Sequence, residues 1–128
     1  ATATGKVLLS PQVVAMLRDN SVPKGDVLST ARIAGIMGAK KTSELIPLCH
    51  PLAIHGVDVD LVTVDSGVEI TASVKTVDRT GVEMEALTAV SIAGLTVIDM
   101  VKAIDPGAVI TDVGVQSKDG GRNGLWNR

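Results

Sequence analysis

The feature that most constrains this chain is a run of 13 residues, Ala86–Ile98, that contains no charged side chain. A helix that crosses a bilayer needs about 20 predominantly apolar residues, so this run is too short to span a membrane. A helix that is apolar on most sides must instead be buried on most sides. Because a chain of 128 residues has little interior with which to surround such a helix, we expect a second copy of the chain to cover part of it.

The composition suits one domain with an aliphatic core. Hydrophobic residues make up 45% of the sequence, but it contains no Phe or Tyr and only one Trp, so Val, Ile, Leu, Ala and Met must fill the core. We expect residues 1–128 to form a single domain. The single Cys cannot form an internal disulfide, and the first residues lack the pattern of a signal peptide. Both observations favour a reducing, cytoplasmic location.

The charge balance argues against nucleic acid as a partner. The net charge is −2 and the isoelectric point is about 5.6, whereas a protein that follows a phosphate backbone normally has a basic surplus. The lack of aromatic residues also removes the stacking platform on which single-strand binders rely.

The first half of the chain predicts one strand and two helices. Gly5–Leu9 has the composition of a short strand. Ser10 is a suitable N-cap for a helix with proline at its first position, and we expect that helix to end near Asn20. Asp26 is suited to cap a second helix that continues to Lys41 and stops before the next proline.

The second half predicts a hairpin, a long helix and a last strand. Apolar and polar residues alternate over 57–61 and over 68–74, with a turn signal between them. The long apolar helix begins after Gly81 and ends near Asp105, and 109–115 alternates again as a strand, followed by a loop-like tail. This order predicts an α+β fold, an antiparallel sheet covered by helices in the ferredoxin-like βαββαβ arrangement with one additional helix.

The segment LIPLCHPL, residues 45–52, is a candidate binding loop. Two prolines frame Leu48, Cys49 and His50, and each proline favours an extended backbone at the residue before it. A stiff tripeptide of this kind suits a preorganised loop, although an ordinary turn with a buried Cys explains the pattern equally well. The chain has no second Cys to complete a structural zinc set.

Two carboxylates lie at the start of the long helix. Glu83 and Glu85 are two residues apart, so they would point the same way if the backbone were still extended there. In that arrangement they could accept hydrogen bonds from the N–H edge of a guanine-like or pterin-like ring. The alternative is that both carboxylates only stabilise the positive end of the helix dipole.

Charged residues elsewhere are further candidates. Asp99 and Lys102 interrupt the apolar helix at i and i+3, where they can touch, either as a buried acid–base pair or as a surface ion pair. Lys24 precedes the second helix, whose free N–H groups could face an anion. Lys118 flanks a glycine-rich stretch, together with Arg122, that could wrap a phosphate.

Three long segments resemble the cyclic pyranopterin monophosphate synthases. They are KGDVLSTARIAGIMGAKKTSELIPLCHPL (24–52), TGVEMEALTAVSIAGLTVIDMVKA (80–103) and QSKDGGRNG (116–124). The resemblance covers nearly the whole chain in the same order. It implies a ferredoxin-like domain with an extra helix, assembled as a hexamer of dimers, with an active site between subunits.

The resemblance also implies roles for particular residues. The matched catalytic positions are Lys24, Asp99 and Lys102, and the matched substrate-binding positions are Leu48, Cys49, His50, Glu83, Met84, Glu85 and Lys118. We expect the two lysines of the catalytic set to transfer protons and to meet across a subunit interface, with the aspartate orienting one of them. Family members usually carry a substrate-binding Thr-x-Arg just before the position of Ala1, where this sequence begins.

The implied reaction is that of a lyase in molybdenum-cofactor biosynthesis. A preceding radical S-adenosylmethionine enzyme supplies 3′,8-cyclo-7,8-dihydro-GTP, which is converted to cyclic pyranopterin monophosphate with release of pyrophosphate. Such chemistry needs proton transfer and anion stabilisation, so we expect no cofactor and no metal. The alternative is a non-catalytic nucleotide- or pterin-binding protein, because this fold hosts many functions.

Overall fold

The computed structural model describes residues 1–128 as an α+β fold, as predicted. The elements are β1 (Thr2–Leu8), α1 (Pro11–Asp19), α2 (Val27–Lys40), α3 (Thr42–Leu45), β2 (Gly56–Val64), β3 (Gly67–Lys75), α4 (Glu83–Val101), β4 (Val109–Lys118) and β5 (Trp126–Asn127). The strands form one antiparallel sheet in the order β2-β3-β1-β4-β5. The first four strands have the predicted ferredoxin-like arrangement, in which α1 and α2 are the predicted doubled helix, and the short helix α3 was not predicted.

Local chemistry explains where the first two helices begin. The hydroxyl of Ser10 accepts a hydrogen bond from the backbone N–H of Val13 at 3.3 Å, and the carboxylate of Asp26 accepts one from the N–H of Ser29 at 3.0 Å. Each cap satisfies an N–H that has no partner within its helix. Helix α1 ends at Asn20, which adopts the left-handed conformation. Both predicted N-caps are confirmed.

Three predicted boundaries were wrong. The first strand starts at Thr2 instead of Gly5, because its early residues pair with β3 and β4. The last strand continues past residue 115 to Lys118. The tail is not entirely loop, since the two residues of β5 pair with the end of β4. A two-residue strand is too short to leave a periodic signal in the sequence.

One face of the sheet carries the core. On β3, Val68, Ile70, Ala72 and Val74 are buried, while the residues between them are exposed or only partly buried. This alternation turns one face towards α4 and leaves the other face open. The core is built from Val, Ala, Ile, Leu and Met, as the composition predicts.

Small residues let α4 lie close to its neighbours. A Cβ atom on Gly5 of β1 would stand 2.7 Å from Cγ1 of Val90, and one on Gly35 of α2 would stand 2.9 Å from the carbonyl oxygen of Ala89. Contacts this short require glycine at both positions. Helix α4 therefore packs closely on both β1 of the sheet and α2, and its position fixes where its two ends lie.

The length of α4 does not by itself argue against a membrane span. The helix has 19 residues and a mean hydropathy of 1.6 over its most apolar window, so it is longer than the uncharged run and passes a test of length and composition. Half of that window is buried inside the chain. Its packing is that of a core helix. The 13-residue run alone does not reveal this, because burial is a property of the folded chain.

Candidate functional site

A cleft of about 390 Å³ lies at the N-terminal end of α4. It is lined by Ile46, Leu48, Cys49, His50, Leu52, Thr80, Gly81, Glu83, Met84 and Glu85. All the predicted substrate-binding residues except Lys118 are in this set. The structure therefore brings together two segments, 45–52 and 80–87, that the sequence analysis singled out separately.

The proline-framed loop forms one wall of this cleft. The backbone N–H of Cys49 donates to the carbonyl of Ile46 at 3.0 Å, which closes a turn around Pro47. Ile46 is extended, with φ −109° and ψ 109°, as expected for a residue before proline. The turn exposes 94% of Leu48, so this apolar side chain is available to a ligand or to another chain.

The structure selects one of the two alternatives left open for the glutamates. The helix predicted to begin after Gly81 does so, because Glu83 is the first residue of α4, and the backbone is not extended there. In a helix, residues two apart lie on different faces, and the two carboxylates consequently have different surroundings. Both still line the cleft, because that cleft wraps around the helix end.

Glu83 forms a partly buried ion pair. Its Oε1 accepts a hydrogen bond at 2.8 Å from Nζ of Lys118, whose side chain is only 17% exposed. Partial burial opposes ionisation of the carboxyl, but the hydrogen bond and charge of Lys118 outweigh it and lower the pKa of Glu83. Lys118 is not among the residues that line the cleft, but its ammonium group contacts the carboxylate of Glu83, which does line it.

The glycine-rich turn after β4 holds Lys118 in place. Gly120 and Gly121 have φ values of +92° and +79°, which side chains rarely tolerate. A Cβ on Gly121 would stand 3.0 Å from the backbone nitrogen of Gly81 and 3.6 Å from Nζ of Lys118. The turn therefore packs directly on the segment that leads into α4.

Glu85 is the more unusual carboxylate. Only 4% of the residue is exposed. Its Oε1 accepts a hydrogen bond from the thiol of Cys49 at a sulfur–oxygen distance of 3.8 Å, and its Oε2 is buried without a partner. Because an unsatisfied buried oxygen is costly, this atom is suited to accept a hydrogen bond from a bound molecule.

The remaining predicted residues meet at the other end of α4. Nζ of Lys102 lies 2.6 Å from Oδ1 of Asp99, and Nζ of Lys24 lies 3.8 Å from its Oδ2. Lys24 also donates to the carbonyl of Asp99 at 3.1 Å. The hydrogen bond and charge of Lys102, followed by the charge of Lys24, lower the pKa of Asp99.

The structure selects one of the two alternatives left open for Asp99 and Lys102, and it shows that one expectation about the lysines was wrong. The side chains of Asp99 and Lys102 are both 59% exposed, so within one chain they form a surface ion pair and not a buried one. Lys24 and Lys102 come from the same chain, because the loop before α2 folds against the end of α4. The lysine pair therefore needs no subunit interface to meet.

The two clusters lie far apart within one chain. Sixteen residues separate Glu83 from Asp99 along α4, which corresponds to about 24 Å of helix axis. No group of three or more His, Cys, Asp or Glu side chains is arranged to hold a metal ion.

Four lining residues were missed by the sequence analysis as individual site residues. Ile46 and Leu52 flank the tripeptide 48–50, and Thr80 and Gly81 precede the glutamates. A side chain on Gly81 would collide with the carboxylate of Glu83, so that glycine makes room for the acid. Their only sequence signal was that they lie beside the residues already selected.

Comparison with known proteins identifies the family of this chain. The model of the MoaC family matches residues 1–121. The cyclic pyranopterin monophosphate synthases of Streptomyces avermitilis and Streptomyces coelicolor are 69% and 67% identical over 128 residues, which is the whole of this chain and 75% of each relative. Cyclic pyranopterin monophosphate synthase 2 of Mycobacterium tuberculosis is 60% identical over the whole of this chain and 77% of its own. The chain therefore belongs to the MoaC family.

Proposed function

We propose that this chain is a cyclic pyranopterin monophosphate synthase, a lyase of molybdenum-cofactor biosynthesis. It would convert 3′,8-cyclo-7,8-dihydro-GTP to cyclic pyranopterin monophosphate and release pyrophosphate, in the cytoplasm. The observation that carries this proposal is the identity of 60–69% over the entire chain to synthases of that name. The two clusters of side chains supply what such a reaction requires.

The cleft is the part that recognises the heterocycle. Carboxylates accept hydrogen bonds and cannot donate them when ionised, so Glu83 and Glu85 suit the N–H edge of a purine-derived or pterin ring. Glu85 lines the cleft and has a buried carboxylate oxygen without a hydrogen-bond partner. His50 and the exposed side chain of Leu48 line the same cleft, where they would contact the ring. Lys118 is near enough to attract the anionic end of the substrate.

The lysine cluster is the part that transfers protons. Two ammonium groups share a single carboxylate, that of Asp99, so one of the lysines is left only partly neutralised. A lysine in this position can give up a proton as a general acid and take one back as a general base. Asp99 would orient Lys102 through the 2.6 Å contact and would not itself react.

Separation of the clusters supports a site assembled from two chains. A general acid must come within about 2.6–3.2 Å of the group it protonates, so residues at opposite ends of α4 cannot serve one ring system within a single chain. Exposed apolar residues on the helix layer, among them Ile33 (60% exposed), Met37 (53%) and Leu95 (54%), also favour burial against a second copy. We propose that the cleft of one chain faces the lysine cluster of another, within a hexamer of dimers.

The reaction is tested by mass spectrometry. Incubation of the protein with the cyclic dihydro-GTP should give cyclic pyranopterin monophosphate and pyrophosphate in equal amounts. Binding of the substrate without either product would contradict the enzymatic proposal and would favour a nucleotide- or pterin-binding protein instead.

Mixed oligomers test the two-chain site. We expect Glu85→Gln chains, which bind substrate weakly, and Lys102→Ala chains, which turn over slowly, to recover activity at low substrate concentration when they are unfolded and refolded together, because some sites then combine an intact cleft with an intact lysine cluster. Random mixing in a two-fold dimer would restore about a quarter of the sites. The matched control mixes Lys24→Ala with Lys102→Ala, which should recover nothing because both lysines belong to one cluster. Recovery in the control alone, or in neither mixture, would contradict the arrangement.

A further inference from the structure

The buried carboxylate of Glu85 depends on a single donor within the chain. Its Oε1 accepts from the Cys49 thiol at 3.8 Å, and its Oε2 is the only buried side-chain nitrogen or oxygen in the structure without a hydrogen-bond partner. A carboxylate with so few partners is free to rotate about its last bond unless something fixes it. The contact with Cys49 is the only side-chain hydrogen bond that holds the orientation of this carboxylate.

The Cys49 thiol is suited to donate a hydrogen bond and not to act as a nucleophile. Burial, followed by the charge and hydrogen bond of Glu85, raises the pKa of the Cys49 thiol. The thiolate is the nucleophilic form of cysteine, so a thiol that resists ionisation is a poor nucleophile and remains a hydrogen-bond donor. The position of this thiol is set by the turn in which the Cys49 N–H bonds to the Ile46 carbonyl at 3.0 Å.

We propose that Cys49 is a positioning residue, whose thiol holds Oε1 of Glu85 so that Oε2 accepts an N–H of the bound heterocycle. This inference rests on the proposed function, because the ligand is the substrate of that reaction. A thiol is a weak donor, so it orients the carboxylate while leaving most of its acceptor strength for the ligand. If Cys49 only filled space, a substitute would need a similar volume but would not need a hydrogen-bond donor.

Three substitutions separate these two roles. Cys49→Ala and Cys49→Val remove the donor with a smaller and a similar volume, whereas Cys49→Ser keeps a donor. We expect KM to rise about tenfold in the Cys49→Ala and Cys49→Val proteins, because a hydrogen bond to a charged acceptor is lost. The value of kcat should stay within about twofold of the wild type, because the lysine cluster is untouched. Cys49→Ser should restore most of the affinity. Equal KM values for Ser and Ala, or a wild-type KM for Val, would overturn the positioning role.

A chemical probe tests the same contact without substrate. When the charge of Glu85 is removed by Glu85→Gln, the Cys49 thiol should ionise more readily, and its alkylation by iodoacetamide at pH 8 should become several-fold faster. Glu83→Gln is the matched control, because Glu83 pairs with Lys118 and does not contact the thiol. An unchanged alkylation rate in Glu85→Gln would overturn the contact. Absence of turnover in the wild-type protein would instead overturn the proposed function, and the alkylation rates would still report on Cys49.

Discussion

The two ends of α4 place charged groups in opposite environments. At the N-terminal end, Glu83 and Glu85 lie in a cleft wall, with Glu85 almost fully buried and Lys118 only 17% exposed. At the C-terminal end, Asp99 and Lys102 are 59% exposed, although they are joined at 2.6 Å. The first cluster is held by the fold of one chain, whereas the second is held mainly by its own ion pairs.

This difference indicates which cluster is complete in a single chain. Buried carboxylates keep their geometry because moving them would cost hydrogen bonds and packing. Exposed ion pairs are screened by water and contribute little to stability, so a lysine cluster on the surface becomes an effective catalyst only when another surface excludes that water. The comparison therefore predicts effects on substrate affinity, and smaller ones on stability, at the N-terminal end, and large effects on rate at the C-terminal end.

The largest expected effect is on the rate, at the exposed end. Lys102→Ala should lower kcat by about 10²–10⁴-fold, the range for loss of a general acid or base, with the melting temperature unchanged because the side chain is exposed. Lys24→Ala should behave in the same way. Single-turnover kinetics and a melting curve measure both quantities. Lys6→Ala is the matched control, since Lys6 forms a similar exposed pair with Asp112 at 3.9 Å on the open sheet face. Near-normal turnover in folded Lys24→Ala and Lys102→Ala proteins would refute the proton-transfer assignment.

The second effect concerns affinity, at the buried end. Glu85→Gln should weaken substrate binding by about 10–100-fold, because a hydrogen bond to a charged acceptor is worth about 1.5–3 kcal/mol. It should not lower stability, since the neutral amide removes a desolvated charge that has no ion-pair partner. Titration calorimetry beside a thermal melt measures both. If affinity were unchanged while stability fell by about 0.3–1 kcal/mol, Glu85 would act only on the helix dipole.

Local features of the fold were predictable from the sequence, and long-range ones in the site were not. Ser10 and Asp26 were identified correctly because an N-cap involves only the next three residues, and the hairpin of β2 and β3 followed from alternating patterns. The meeting of Lys24 with Asp99, 75 residues apart, leaves no periodic signal: the sequence selected the two residues separately, and only the family resemblance put them in one catalytic set. The sequence placed the start of α4 after Gly81 correctly, but it left open whether the carboxylates of Glu83 and Glu85 share one direction, because that depends on whether the helix has begun at those residues.

The smallest expected effect is on stability, and it distinguishes the ion pairs at the two ends. Lys118→Met should destabilise the protein by about 1 kcal/mol at neutral pH, the upper end for a pair that solvent partly screens. The pKa of Glu83 is lowered in the folded protein from its ordinary value of 4.5, so the pair stabilises the fold above that pH and loses its contribution as the pH falls through the folded pKa. The difference in the free energy of unfolding between wild type and Lys118→Met should therefore be largest near pH 7 and should become smaller below pH 4.5. Urea unfolding at several pH values measures it.

Asp99→Asn supplies the comparison from the exposed end. The pKa of Asp99 is also lowered, by the hydrogen bond and charge of Lys102 and the charge of Lys24, so any contribution it makes must disappear over the same acid range. Because water screens this carboxylate, we expect a smaller loss of stability than in Lys118→Met at every pH. Wild-type and Lys118→Met stabilities that fell in parallel on acidification would show that Lys118 does not stabilise the charged form of Glu83. A larger loss in Asp99→Asn than in Lys118→Met would reverse the assignment of the two ends, because the lysine cluster would then be the one held by the fold of a single chain.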